Sequence, residues 1–269
     1  PYLSIKNFSE IFQCVISIKM NIIQKVEFQM NSKNQQLNSH EQKITVDAMK
    51  FLINEEDNTA KIIKIPSNFL FLKIPSAISV FDTEFEIKSI SDSLFKFNDC
   101  FWIEFAANSQ IKSFKKDAFI YSTIKILTIP SSVVELEDGW CNDTPKLDVI
   151  IVNRNNPNFI SYDNGKYILG KSSPEKENYD VLIFAIRCIE IAIIPSFIEI
   201  IGKYAFQCCS KLQRIEIPND SKLRIIDDYS FEKCPIESID IPSCLTKIGQ
   251  CAFYECEKLQ QINIPKNSE

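Results

Sequence analysis

The chain has 269 residues, enough for one or two domains with a sizeable core. Its 35 acidic residues outnumber its 30 basic ones, and the formal net charge of −5 argues against a nucleic-acid binder, which needs a basic face to displace counterions from phosphates. A single histidine, His40, excludes a multi-histidine metal site, and only five glycines argue against a nucleotide fold built on glycine-rich turns.

The first thirty residues permit strand at Tyr2, Leu3, Ile5, Val26 and Phe28, and permit helix over Ile11 to Ile23. The apolar run from Glu10 to Ile23 is broken by Gln13 and Lys19 and lacks a small-residue cleavage site, so it does not read as a signal peptide. No stretch of about 20 apolar residues occurs, and no membrane span is predicted. The start at Pro1 rather than Met reads as a processed, trimmed or incomplete end. Asn31 to Gln42 is polar and reads as a loop. Ala48–Ile53 and Thr59–Ile65 flank Glu55-Glu56-Asp57-Asn58, which predicts a hairpin closing the first coil of the repeats that follow.

The C-terminal half carries a repeat. Ile194-Pro195, Ile217-Pro218, Ile241-Pro242 and Ile264-Pro265 place prolines 23, 24 and 23 residues apart. Between them recur Ile201-Gly202 with Ala205-Phe206 and Cys209, Ile226-Asp227 with Ser230-Phe231 and Cys234, and Ile248-Gly249 with Ala252-Phe253 and Cys256. Weaker copies lie upstream at Ala118-Phe119 before Ile129-Pro130, Gly139-Trp140 before Val152, and Leu94-Phe95 before Phe105-Ala106. A unit this short cannot bury its own apolar face and must do so against its neighbours, which makes a solenoid. Each coil is expected to hold one short parallel strand of the Leu212-x-x-Ile215-x-Ile217 type plus a return segment. Alternation sends Ile215 and Ile217 inward and Arg214 and Glu216 outward. Proline fits directly after the strand because the ladder ends there.

The pattern Leu-x-x-Ile-x-Ile-Pro, followed by Ile-Gly-x-x-Ala-Phe-x-x-Cys, resembles the BspA-type leucine-rich repeat, over residues 60 to 269. The resemblance implies a leucine-rich-repeat solenoid and a cell-surface adhesin or antigen role. Asn155 to Phe159 and Tyr162 to Tyr167 are similar to an inter-repeat hairpin of that family. Independently, Asn164-Gly165 between Phe159–Tyr162 and Lys166–Leu169 signals a type I′ hairpin, with Val181–Phe184 as a possible third strand. The implied organisation is an N-terminal cap region at 1–59, degenerate repeats at 60–152, a β-hairpin insertion at 153–186 and regular repeats at 187–269. The stop soon after Pro265 shows no polar cap and reads as a short natural end or a truncation.

Candidate chemistry is sparse. Cys209, Cys234 and Cys256 share one repeat position, held upstream by Asn98, Ser122 and Asp143. A period-locked position points to small buried residues that bond neighbouring backbone rather than to a metal or redox ladder. No Cys-x-x-Cys pair is present among the ten cysteines. Asp227-Asp228 and Glu55-Glu56 read as solvated turns, since nothing apolar beside them would shift a pKa. No phosphate-cradling glycine loop exists. Asn7, Asn142 and Asn219 begin glycosylation sequons. No catalytic, metal or cofactor site is assigned, and no cofactor is expected.

The informative surface is the outward row of the strand face: Phe101, Trp102 and Glu104, then Ile126, then Val149 and Ile151, then Glu190, Ile191 and Ile193, then Arg214 and Glu216. The earlier coils are apolar and the last three polar, so consecutive coils would gather an exposed patch of the kind that marks a partner site. Trp102 is the best single anchor. The other reading is that the N-terminal segment or the hairpin covers the patch. The sequence thus predicts a non-catalytic module at the cell surface or outside the cell that binds a protein, glycoproteins and extracellular-matrix ligands included, and neither nucleic acid nor membrane. The alternative is a cytoplasmic scaffold or signalling regulator with reduced thiols.

Overall fold

The computed structural model describes residues 41–67 and 69–265. The expectations for residues 1–40, with Cys14, His40 and the Asn7 sequon, fall outside that range. The described residues form a β-solenoid of about nine turns with a period near 23 residues and no helix.

A five-stranded sheet opens the described chain. Glu41–Val46, Met49–Asn54 and Thr59–Lys64 pair antiparallel, Thr83–Ile90 joins Thr59–Lys64 in parallel, and Ala77–Val80 folds back on Thr83–Ile90. The hairpin over Glu55–Asn58 is where the sequence places it. The polar tract does not remain a loop to Gln42, because Glu41 and Gln42 pair with Asn54 and Ile53.

The repeat strands stack in parallel. Phe71–Ile74, Trp102–Phe105, Ile126–Ile129 and Val149–Val152 form one ladder; Ile191–Ile193 pairs with Arg214–Glu216, and Ser238–Asp240 with Gln261–Asn263. The register Ile103↔Leu127↔Ile150 keeps one apolar residue per coil on the core side. The coil ending at Ile74-Pro75 escapes the 23-residue beat, because Ile74 aligns with Phe105, 31 residues on, and the extra length is the Ala77–Ile90 hairpin.

The return segment is more ordered than one strand per coil implies. Ile200–Ile201, Ile225–Ile226 and Lys247–Ile248 form a second parallel ladder, and Ser113–Phe114 pairs with Glu135–Leu136. Gly249 is required here, since a Cβ on it would lie 2.4 Å from the Asp228 nitrogen of the coil before. A third set of bonds links the turn that follows: the amides of Tyr204, Phe206 and Cys208 donate to the carbonyls of Asp228, Ser230 and Glu232 in the next coil. Two residues per turn take left-handed backbone there, as at Tyr229 and Lys233.

Aromatic rings fill the centre in two runs. Phe95 stacks on Phe119 at 4.6 Å, while Phe206, Phe231 and Phe253 stack at 4.9 and 5.5 Å. Between the runs, Trp140 meets Phe119 and Phe184 at 5.8 Å each, and Tyr167 meets Phe206 at 6.3 Å. The core divides accordingly, at the inserted hairpin. Ile160–Tyr162 pairs antiparallel with Tyr167–Gly170, which pairs antiparallel with Val181–Ala185. The loop is not the two-residue type that Asn164-Gly165 suggests; it spans four residues, with Asp163, Asn164 and Gly165 all left-handed. Strand alternation lets Ile168 face the N-terminal core and Tyr167 and Leu169 the C-terminal one.

Candidate binding face

The ladder registers place the outward residues directly. One row holds Phe71, Trp102, Ile126 and Val149 and continues in Ile191 with Arg214; the other holds Lys73, Glu104, Thr128 and Ile151 and continues in Ile193 with Glu216. The structure therefore sets the sequence-derived residues on one side of the strands, apart from Phe101 and Glu190, which lie one residue before their strands. It does not leave them equally accessible.

Trp102 is 7 % exposed and Ile126 8 %. Trp102 stands beside Phe71, whose ring meets it edge-on at 4.7 Å, and Ile126 lies across the ladder from it. Trp102 is thus not offered to solvent, which corrects its expected part as an exposed anchor. The accessible apolar residues lie further along: Ile151 at 40 %, Ile191 at 49 % and Ile193 at 54 %. Val149 and Glu104 are half-buried and Glu190 is exposed. Phe101 is exposed with the Lys125 ammonium 5.6 Å from its ring. Arg214 is exposed and forms an ion pair with Glu216 in its own strand.

The strand face is interrupted between Val149–Val152 and Ile191–Ile193, and side chains of the hairpin take the place of the ladder. The Val152 amide donates to Ser161 Oγ at 3.2 Å, and the Ile193 amide donates to the Tyr167 hydroxyl at 3.0 Å. Burial pushes the Tyr167 phenol well above its ordinary pKa, so it keeps its proton. Tyr162, expected only as a hairpin residue, and Phe197, which the sequence did not single out, add exposed rings 5.6 Å apart, Tyr162 being the cross-strand partner of Tyr167. For Tyr162 the adjacent Asn164-Gly165 turn was the available signal.

At the rim, burial raises the pKa of Asp148 against the thiol hydrogen bond from Cys188, and burial beside that carboxylate pushes Cys188 up to about 11. Asp228 is held low first by the Gln250 amide, which donates to it at 2.8 Å, and then by Lys203. It works as a turn fastener. Cys234 and Cys256 donate to the carbonyls of Phe206 and Phe231 in the preceding coil, each at 3.0 Å. In the Trp140 coil the matching residue is Thr144 rather than Asp143: Thr144 is fully buried and donates to the Cys141 carbonyl at 2.6 Å, while Asp143 takes the left-handed position before it. The nine described cysteines are free thiols. No cluster of three or more metal-ligating side chains occurs among the described residues. Nor is any helix there long and apolar enough to cross a membrane. Of the two described sequons, Asn219 is exposed, whereas Asn142 is buried and donates to Asp117 Oδ1 at 3.0 Å.

The repeat geometry has a counterpart in sequence. Residues 78–162 and 183–269 match the model of the BspA type leucine rich repeat region, in six copies, over more than half of the chain. The chain belongs to the BspA-type leucine-rich repeat family. Among solved structures it is similar to a leucine-rich repeat protein from Eubacterium ventriosum (16 % identity, 82 % of this chain and 83 % of that one, TM-score 0.45). It is also similar to one from Bacteroides ovatus (17 %, 84 % and 66 %, TM-score 0.43) and to the pneumococcal vaccine antigen PcpA (17 %, 84 % and 82 %, TM-score 0.41). No curated protein matches it.

Proposed function

We propose that this BspA-type repeat chain is a non-catalytic binding module, carried at the cell surface as an adhesin or antigen, that recognises another protein through its strand face. The observation that carries the reading is the exposure of three outward isoleucines, Ile151 in the strand before the hairpin and Ile191 and Ile193 in the strand after it, on strands whose inward side is the core. Apolar side chains held at the surface run against the hydrophobic effect, and an apolar group with a polar rim is the ordinary composition of a contact surface. Glu190, Arg214 and Glu216 supply that rim. The test is capture of purified extracellular-matrix glycoproteins by the immobilised full chain. The double substitution Ile191→Asp with Ile193→Asp is expected to lower capture at least tenfold without moving the unfolding midpoint. Equal capture by both proteins overturns the assignment of this face.

A second reading, an intracellular scaffold, is favoured by the nine free thiols, which suit a reducing compartment. Antibody labelling of intact against permeabilised cells separates the two.

A further inference from the structure

The repeat turns close on a residue with left-handed backbone, and Phe97, Tyr121, Asp143, Cys208, Lys233 and Glu255 hold that place along the chain. Aspartate, lysine and glutamate serve there, so the turn itself does not call for an aromatic ring. Phe97 and Tyr121 put one there all the same, although left-handed backbone is an outlier for a bulky side chain. Both rings stand in water, 63 % and 50 % exposed, and they stack at 5.2 Å and 16°. The core column runs instead through Phe95 and Phe119, two residues earlier in each turn. Tyr121 takes one face of the Phe97 ring. The Phe97 ring also lines a groove of about 250 Å³, together with Lys64, Lys96 and the hydroxyl-bearing Ser67, Ser91 and Ser93. The Lys96 ammonium lies 5.2 Å from the centre of the Phe97 ring. Among the described residues neither lysine forms an ion pair with a carboxylate. Lys50, the cross-strand partner of Lys64, adds a third exposed ammonium on that side of the sheet. Like charges opposite one another on neighbouring strands repel, and an anion in the groove would relieve that repulsion. The one carboxylate between Ile90 and Asn98, that of Asp92, lines the neighbouring groove with Lys61 and Lys112.

We propose that this groove binds an acidic sugar of a glycan: the pyranose ring lies on the face of Phe97 that Tyr121 leaves free, and its carboxylate or sulfate is held between Lys64 and Lys96. Each part of such a ligand has its counterpart. The C–H side of a pyranose is apolar and flat enough to cover an aromatic face. Lysine ammoniums act as mobile point charges toward an anionic group. The serine hydroxyls both donate and accept, which suits a ring carrying several hydroxyls of its own. A nucleobase also stacks on a ring, but a nucleic acid carries a charge at every nucleotide, and a chain of net charge −5 opposes it beyond this one groove. Tyr121 is a positioning residue, since its ring backs that of Phe97. The site lies in the repeat turn and not on the strand face, so it stands independently of the protein-binding reading above.

The test is saturation-transfer NMR on the full chain with four probes, each titrated alone to about 5 mM, which populates even a millimolar site. The probes are methyl glucuronide, galactose sulfated at its primary hydroxyl, methyl glucoside and uridine monophosphate. Transfer to the ring protons of the glucuronide, of the sulfated galactose or of both is expected, with binding about tenfold tighter than that of the neutral glucoside. Whichever acidic sugar receives it identifies the anionic group. Phe97→Ala should weaken that binding about tenfold, and Phe97→Trp, which keeps an aromatic face, should retain it. Lys64→Gln combined with Lys96→Gln should reduce the acidic sugar to the level of the glucoside. All three side chains are exposed, so the unfolding midpoint should stay where it is. Absence of transfer from both acidic sugars overturns the proposal, as does equal binding of the glucoside, tighter binding of uridine monophosphate, or binding that survives Phe97→Ala.

Discussion

The stacked rings at the C-terminal end make a sharp prediction about Phe231. It is fully buried, with Phe206 at 4.9 Å and 16° on one side and Phe253 at 5.5 Å and 3° on the other. Replacing it by alanine removes the ring and leaves a cavity between two coils, a change that costs about 3–5 kcal/mol. Each lost ring pair is worth about 0.5–1.5 kcal/mol beyond its buried area, so Phe231→Leu, which keeps most of the volume, should still cost about 1–3 kcal/mol. Phe253 is half-buried and has one ring neighbour, so Phe253→Ala should cost about 1–3 kcal/mol. The assay is urea denaturation of the full chain by far-UV circular dichroism, with a thermal melt beside it. For a chain of this size the Phe231→Ala loss corresponds to a melting temperature lower by about 6–20 °C. A ladder whose coils are held by their neighbours requires the order Phe231→Ala, then Phe253→Ala. Equal effects, or a larger one at Phe253, would refute the argument that stacking between coils holds this end together.

Two further expectations concern the other coils. Trp102→Asp should lower the urea midpoint by an amount equivalent to about 3–5 kcal/mol or abolish folding, because it cuts away a buried ring and leaves a carboxylate in its place; an unchanged midpoint would return Trp102 to the surface. Asp180 is buried and accepts from the Ser172 amide at 2.9 Å and the Ser172 hydroxyl at 2.6 Å, with Lys176 beside it. Burial opposes its charge, yet Lys176 and Ser172 win and hold its pKa low. Its contribution is therefore present above the unfolded value of about 3.9 and lost as pH falls below it. Amide exchange at Ser172, corrected for intrinsic rate, should accelerate in acid relative to the rest of the hairpin, and Asp180→Asn should remove that difference; identical acid profiles would disprove it.

What the sequence reveals about this protein follows from what repetition can encode. Ile103, Leu127 and Ile150 fall on the core side because alternation and period fix their facing, and neighbours of the same kind confirm it coil after coil. Period and facing do not fix exposure. Trp102 and Ile193 both point outward from their strands, yet one is buried and the other is 54 % exposed. That difference is set by whatever lies on top, and the strand pattern carries no record of it. The Asp143 alignment slipped by one residue for a related reason: the Trp140 coil is a residue short, and only the left-handed backbone at Asp143 and the buried hydroxyl of Thr144 show where the turn closes.

The junction at the hairpin is the extreme case, because nothing there repeats. Tyr167 replaces a strand with one hydroxyl, and Arg187 stands where the ring column breaks. Each occurs once, so no alignment of coils could assign it a role. A periodic core can be built from interchangeable apolar residues, since burial rewards area and shape without regard to partner identity. Where the period is interrupted, backbone amides and a buried charge must find particular atoms, and a mismatch leaves a polar group unsatisfied in a dry interior. The repeats therefore explain why the chain makes a solenoid, and the irregular residues between them explain why its two cores meet at one defined place.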